Sequence, residues 1–208
     1  MSMFNPVDRL RRSARITIAL YRISQAMNYL LRERGKVRGL SPAQIQTLLF
    51  LKYARPGVRT IGGLADRLVV SYATASDVAD ALERKRLLQR NPLPTDQRVV
   101  MLALTEQGEH ESAMLEDVLD EIENAVAALP DTDQEALVRA TQSIIRYLQV
   151  RGYVKVYEMC WGCQFFRRNA HPDDPRGPHH CAYVDAPLPE QNTYLECPDF
   201  TPIEPERT

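Results

Sequence analysis

Residues 60–104 read TIGGLADRLVVSYATASDVADALERKRLLQRNPLPTDQRVVMLAL, and the changes of period inside this stretch decide the fold. Ile61, Leu64, Ala65 and Leu68 recur at i, i+3, i+4 and i+7, as on one face of a short amphipathic helix, and Thr60 precedes them as a capping hydroxyl. Ser71 caps a second helix, from Tyr72 to Arg86, with Val78, Ala79 and Leu82 directed inward. The pattern then turns β-type. Leu87–Arg90 and the apolar, β-branched Arg98–Leu104 flank Asn91–Gln97, whose prolines Pro92 and Pro94 suit an exposed loop tip and no strand interior. Helix, tight turn, helix and β-hairpin, in that order, make a winged helix-turn-helix.

Outward from this unit the chain stays helical. Ser41-Pro42 is a helix start, a capping hydroxyl followed by proline at the first helical position, and Ile45, Leu48, Leu49 and Leu51 fill a helix that stops before Arg55-Pro56-Gly57. Upstream, Ile16, Leu20, Ile23, Met27, Leu30 and Leu31 predict a long amphipathic helix over 8–33, ended by Gly35 and Gly39. Downstream, Thr105 opens a helix in which Leu115, Val118, Ile122, Val126 and Leu129 share a face as far as Pro130. Asp131-x-x-Gln134 reads as a capping box for a last helix through Val150. The fold class is therefore mainly α with a small β-wing. It divides into an N-terminal helix (1–39), the winged unit (40–108), C-terminal helices (109–150) and an extension (151–208).

The formal net charge of −1 conceals a gradient: +8 over residues 1–54, +3 over 55–104, −9 over 105–150 and −3 over 151–208. A basic first half suggests a face that meets an anion, nucleic acid being the commonest, and opposite signs at the two ends suit pairing of the terminal helices. No apolar run approaches the roughly 18–20 residues of a membrane-spanning helix, and no secretory signal is evident, so the expected address is the cytoplasm with no membrane partner.

The extension differs in kind. It holds eight of the 14 prolines and all four cysteines, Cys160, Cys163, Cys181 and Cys197. So Pro-rich a segment cannot be mostly helix or central strand, and four cysteines within 38 residues of a cytosolic chain argue for metal before disulfide. Four thiolates satisfy either a tetrahedral structural zinc or a [4Fe–4S] cluster, one per iron. Six of the 15 aromatic residues fall in 160–200, enough for a dry lid over a cluster. His171, His179 and His180 are read as solvent-exposed imidazoles or outer-shell donors, since four thiols are already at hand.

LSPAQIQTLLFLKYA (40–54), TIGGLADRL (60–68), SYATASDVADALERKRLLQR (71–90) and DQRVVMLALTEQG (96–108) together resemble the multiple-antibiotic-resistance regulator (MarR) family, with matching element order over 8–150. Arg86 departs from the pattern, which usually has glycine in the turn before the wing. The resemblance implies a homodimer with interleaved terminal helices, and hence a pseudo-palindromic operator with half-sites about one turn (~10 bp) apart. In such a fold the start of the second helix enters the major groove. Ser71, Tyr72, Thr74, Ser76 and Asp77 stand there, the hydroxyls suited to phosphate or base edges and Asp77 to a cytosine amine. By the same resemblance Arg98 enters the minor groove, with Asp96 shaping the loop by pairing with Arg90 or Arg98. A small aromatic acid bound beside Tyr21, Arg22 and Tyr29 is also implied. CWGCQFF, HHCAYV and ECPDF are in turn similar to the cluster-binding part of high-potential iron–sulfur proteins, which favours [4Fe–4S] over zinc.

The expected function is thus a DNA-binding transcriptional regulator, a repressor, whose four-cysteine centre acts as redox or iron sensor or as structural clasp. The rival class is an electron-transfer protein on a winged-helix scaffold. No Ser-His-Asp order, glycine-rich phosphate loop or HExxH occurs, so no enzymatic activity is expected.

Overall fold

The computed structural model describes residues 5, 10–54, 56–93, 96–154, 160–194, 197, 200–201 and 203, without the side chains of 56, 93, 96–99, 150, 191 and 194. Helix α1 spans Arg12–Arg38 and runs straight through Gly35. A Cβ at Gly35 would lie 2.1 Å from the carbonyl oxygen of Leu40, whose N–H donates back to Gly35 O at 2.9 Å. Gly35 therefore lets the chain fold back over the helix end, while Gly39, at φ 63°, is the actual stop. Helix α2 (Pro42–Tyr53) begins with the capping box of Ser41 and Gln44, and α3 (Ile61–Leu68) with the hydroxyl of Thr60.

Helix α4 spans Tyr72–Arg84, two residues short of the expected end. Leu87 N–H donates to Leu82 O at 3.0 Å, and Arg86 takes the left-handed φ of 58°, a turn that swings the chain into the wing. Strands β1 (Leu88–Leu93) and β2 (Asp96–Leu104) pair antiparallel, with Leu88 opposite Leu104 and Arg90 opposite Leu102. Pro92 lies inside β1, opposite Val100, and not in a loop as expected. A two-stranded ribbon is all edge, and an edge strand tolerates proline.

The single helix expected from Thr105 to Leu129 is broken. The chain forms α5 (Glu106–Ala113), a 3-10 turn (Glu116–Leu119) and α6 (Asp120–Ala127). Leu115 and Val118 sink into the winged core whereas Val126 and Leu129 face solvent, so the five apolar residues do not serve one surface. Helix α7 spans Asp131–Val150. The capping box expected at its start does not form, because Gln134 turns back to donate to the carbonyls of Ala127 and Leu129 at the end of α6.

One apolar core unites α2, α3, α4, the ribbon and α5, with Ile45, Leu48, Leu51, Leu64, Leu82, Leu88, Leu102 and Leu115 almost wholly enclosed. Burying each side chain of this size stabilises the fold by about 1.5–3 kcal/mol. At Gly108, where α5 crosses the ribbon, a Cβ would come within 1.9 Å of the Leu87 carbonyl oxygen. Part of the charge gradient closes within the chain. Arg38 pairs with Glu111 at 2.8 Å, Lys52 with Glu116 at 2.6 Å, and Arg34 with Asp117.

Beyond α7 the described extension is more ordered than a loop-rich segment. Strands β3 (Phe166–Arg167), β4 (His179–Cys181) and β5 (Ala186–Leu188) form a small antiparallel sheet with Phe166 opposite Cys181 and Cys181 opposite Ala186. No helix among the described residues is long and apolar enough to cross a membrane.

Candidate nucleic-acid interface and a thiol-lined cavity

The first turn of α4 stands on the surface. Ser71, Tyr72, Thr74 and Asp77 are exposed, Tyr72 at 64%, and Ser76 is half-buried. The opposite side of the helix, Ala75, Ala79 and Leu82, seals the core and so fixes which residues face outward. The hydroxyl of Ser71 accepts from Thr74 N–H at 3.1 Å and lies 2.9 Å from Thr74 Oγ1. It caps the helix, and its exposed position leaves a remaining lone pair or proton for a phosphate.

Arg90 is built into the protein. Its guanidinium contacts Asp80 at 2.6 Å and Glu83 at 2.9 Å, both on α4, so it ties the root of the ribbon to that helix and does not reach along the wing. The expected pairing of Asp96 with Arg90 or Arg98 falls on side chains outside the described residues. The side chains of Asp96 and Arg98 lie outside the described residues, and only their place in β2 is described. Of the basic residues ending α4, Lys85 donates to Gln44 Oε1 at 3.0 Å and to the Gly39 carbonyl, locking α4 to the start of α2. Tyr21, Arg22 and Tyr29 are exposed on α1, where Gln25 links Tyr21 and Arg22, and they do not converge on a described cavity.

In the extension, all four cysteines line one cavity of about 100 Å³. They stand as thiols, each half-buried. A 3-10 turn, Cys160–Gly162, makes the first pair a knuckle in which Cys163 N–H donates to Cys160 O at 2.8 Å. Cys181 arrives on β4. Cys197 is brought in by the returning strand of chain, where Gln164 N–H donates to Thr201 O and Ile203 N–H to Gly162 O. Phe165, Phe166, Tyr183, Leu188 and Phe200 complete the wall. Among the described residues, however, no group of three or more His, Cys, Asp or Glu side chains is placed to hold a metal ion.

The histidines stay off this cavity. His179 is buried at 2% exposure, so of the two expectations, a solvent-exposed imidazole or an outer-shell donor, the first does not hold for it. Its Nδ1 accepts from Asn169 N–H at 3.1 Å, so Nε2 carries the proton it donates to Glu190 Oε2 at 2.5 Å. His171 and His180 share one hydrogen bond of 3.0 Å. On the same side Asp174 is held down to about 2 by the side chain and backbone N–H of Arg176. Glu190 and Asn169 had no signal in the sequence, because their contacts to His179 span 11 and 10 residues of irregular chain.

A family model described as the MarR family matches residues 38–99. The HTH-type transcriptional regulator MhqR of Bacillus subtilis (strain 168) is 27% identical over 128 residues, 60% of this chain and 85% of that protein. The S. aureus MepR–DNA complex is similar in fold with a TM-score of 0.57, at 22% identity over 64% of this chain and 97% of that one. CouR from Rhodococcus jostii RHA1, solved with p-coumaroyl-CoA, gives 0.54 at 21% identity over 62% and 90% of the two chains. CouR bound to a 23-mer DNA duplex gives 0.51 at 26% identity over 61% and 89%. These proteins are spanned nearly end to end while over a third of this chain is left uncovered. Residues 38–99 match the MarR family model, and the structure folds there as a winged helix-turn-helix.

Proposed function

We propose that the chain acts as a homodimeric repressor that binds a pseudo-palindromic operator and carries a [4Fe–4S] cluster on Cys160, Cys163, Cys181 and Cys197. The observation that carries the DNA reading is the exposed start of α4, with its hydroxyls and Asp77 facing outward beside a two-stranded ribbon. MepR and CouR, of like fold, have been solved on DNA. In this reading Ser71, Tyr72, Thr74, Ser76 and Asp77 address the major groove, Arg98 and Asp96 form the wing contact, and Arg90 positions the ribbon. Ile16, Ile23 and Tyr29 on α1, and Leu137, Val138, Ile144 and Tyr147 on α7, are exposed apolar residues that a second copy would cover. CouR also binds p-coumaroyl-CoA, which supports a small aromatic ligand as a second input here.

For the metal, the donor set and the apolar wall of the cavity support a cluster. Zinc draws four sulfurs to about 2.3 Å from a point, hence within about 4 Å of one another. A cluster takes one thiolate per iron and keeps the sulfurs apart around a wider space. Four thiols around one apolar-walled cavity are the donor set that such a cluster takes. When bound, a cluster supplies a centre sensitive to redox state and iron supply.

The test is twofold. Anaerobically purified protein is expected to show a broad visible absorption near 400 nm, with iron and sulfide in equal amounts. Zinc in a colourless protein would replace the cluster with a structural ion. Fluorescence anisotropy against operator DNA is expected to lose about 1–3 kcal/mol of binding on Arg98→Ala, with the dimer intact. Sequence-independent binding, or none, would favour the electron-carrier reading.

A further inference from the structure

The winged core is dense, yet no apolar side chain beyond Val118 is buried among the described residues. In the extension the buried side chains are the polar His179 and Thr193. At its centre, where a domain of this size would have aliphatic packing, lies the thiol-lined cavity. Strands of two or three residues and a few turn hydrogen bonds do not hold a unit of this size together.

The extension also touches α7 in a particular way. Trp161 sits inside the Cys160–Cys163 knuckle. Its ring meets Phe166 at 5.0 Å and His179 at 5.8 Å, and the guanidinium of Arg168 lies 4.8 Å over it. The same ring lines clefts whose other wall is α7, through Arg139, Gln142 and Gln149. A Cβ at the neighbouring Gly162 would lie 3.6 Å from Gln149 Oε1. On α7 the half-buried residues Gln142, Ile145, Leu148 and Gln149 form one stripe, and the exposed Ile144 and Tyr147 face elsewhere.

We infer that the extension is a latch that folds only around its thiol-held centre, and that Trp161 transmits its presence to the C-terminal half of α7. This rests on the metal-centred reading above. Because no apolar core survives without the centre, metal binding and folding of 160–203 are one event. Because Trp161 lies between two of the ligands, losing the centre unmakes the knuckle that holds the ring against α7. The C-terminal half of α7 then frays, and with it the dimerisation surface that sets the spacing of the two winged units.

Hydrogen exchange on the full chain tests this, with metal content and visible absorption recorded in parallel. Cys160→Ser/Cys163→Ser is expected to lose the metal and to speed exchange about tenfold or more across 160–203 and 139–150, leaving 61–84 unchanged. Trp161→Leu is expected to keep its metal and the protection of 160–203 yet lose it over 139–150. Should Trp161→Leu shed its metal, Gln149→Ala makes the same comparison from the α7 side. Full protection of 160–203 in the metal-free variant overturns the latch while leaving the cluster untouched. Unchanged 139–150 in both variants overturns the role of Trp161. Absorption and metal analysis that find neither iron nor zinc defeat the metal-centred reading itself, a distinct result.

Discussion

Arg86 offers a direct test of the turn between α4 and the wing. It is exposed and holds φ at 58°, where a side chain with a Cβ costs about 1–2 kcal/mol and glycine costs nothing. The conformation is imposed from both sides. Arg86 N–H donates to Glu83 O at 2.8 Å, and its carbonyl accepts from Thr105 Oγ1 at 2.6 Å. Arg86→Gly removes the strain but adds about 0.5–1 kcal/mol of unfolded-chain entropy, for a net stabilisation of about 0.5–1 kcal/mol. Arg86→Ala keeps the strain. Chemical denaturation of both variants is therefore expected to rank Gly above Ala, whereas in an ordinary helix Ala leads by about 1 kcal/mol. In a chain of this size the gain over wild type is about 1–4 °C in Tm. Ala equal to or above Gly would refute the left-handed turn and the account of how α4 passes into β1.

Three further outcomes follow from the same geometry. Ser71→Ala removes the cap that receives Thr74 N–H, so thermal unfolding is expected to show a loss of about 1 kcal/mol, and anisotropy a weaker operator complex. Arg90→Met leaves Asp80 and Glu83 facing each other without their shared cation; stability should fall by about 1 kcal/mol, while the salt dependence of DNA binding stays unchanged, because Arg90 is a tie and no phosphate contact. Glu116 accepts hydrogen bonds from Lys52 and Tyr53, which hold its carboxyl below the ordinary value. A carboxylate lowered in the folded state stabilises above its unfolded value and loses that contribution as pH falls through its folded one. Stability of Glu116→Gln measured against pH should therefore fall less below pH 4.5 than wild type does.

The winged unit was legible because its signals are local. Ser41, Thr60 and Ser71 each cap the helix expected of them, and the apolar spacing in 61–68 leaves a single face to bury. The exceptions are also instructive. Gly35 looked like a stop because glycine lowers helix propensity, but it is the seat for the Leu40 carbonyl, a contact made by the chain's later return. The run from Leu115 to Leu129 kept helical spacing while serving two surfaces, and periodicity has no means of marking where one surface ends. In the extension, spacing gave four cysteines and a choice of metals, but not which wall they would line.

By itself, then, the sequence determined the order and kind of the elements from α1 to β2, the start of α4 and the identity of the four thiols, since each follows from residues within a turn or two of one another. Tertiary structure decided the rest. It committed Arg90 to α4, enclosed His179, turned Gln134 backwards and set four cysteines around one cavity, because each of these depends on which distant backbone arrives beside the residue and which polar groups burial then forces into partnership.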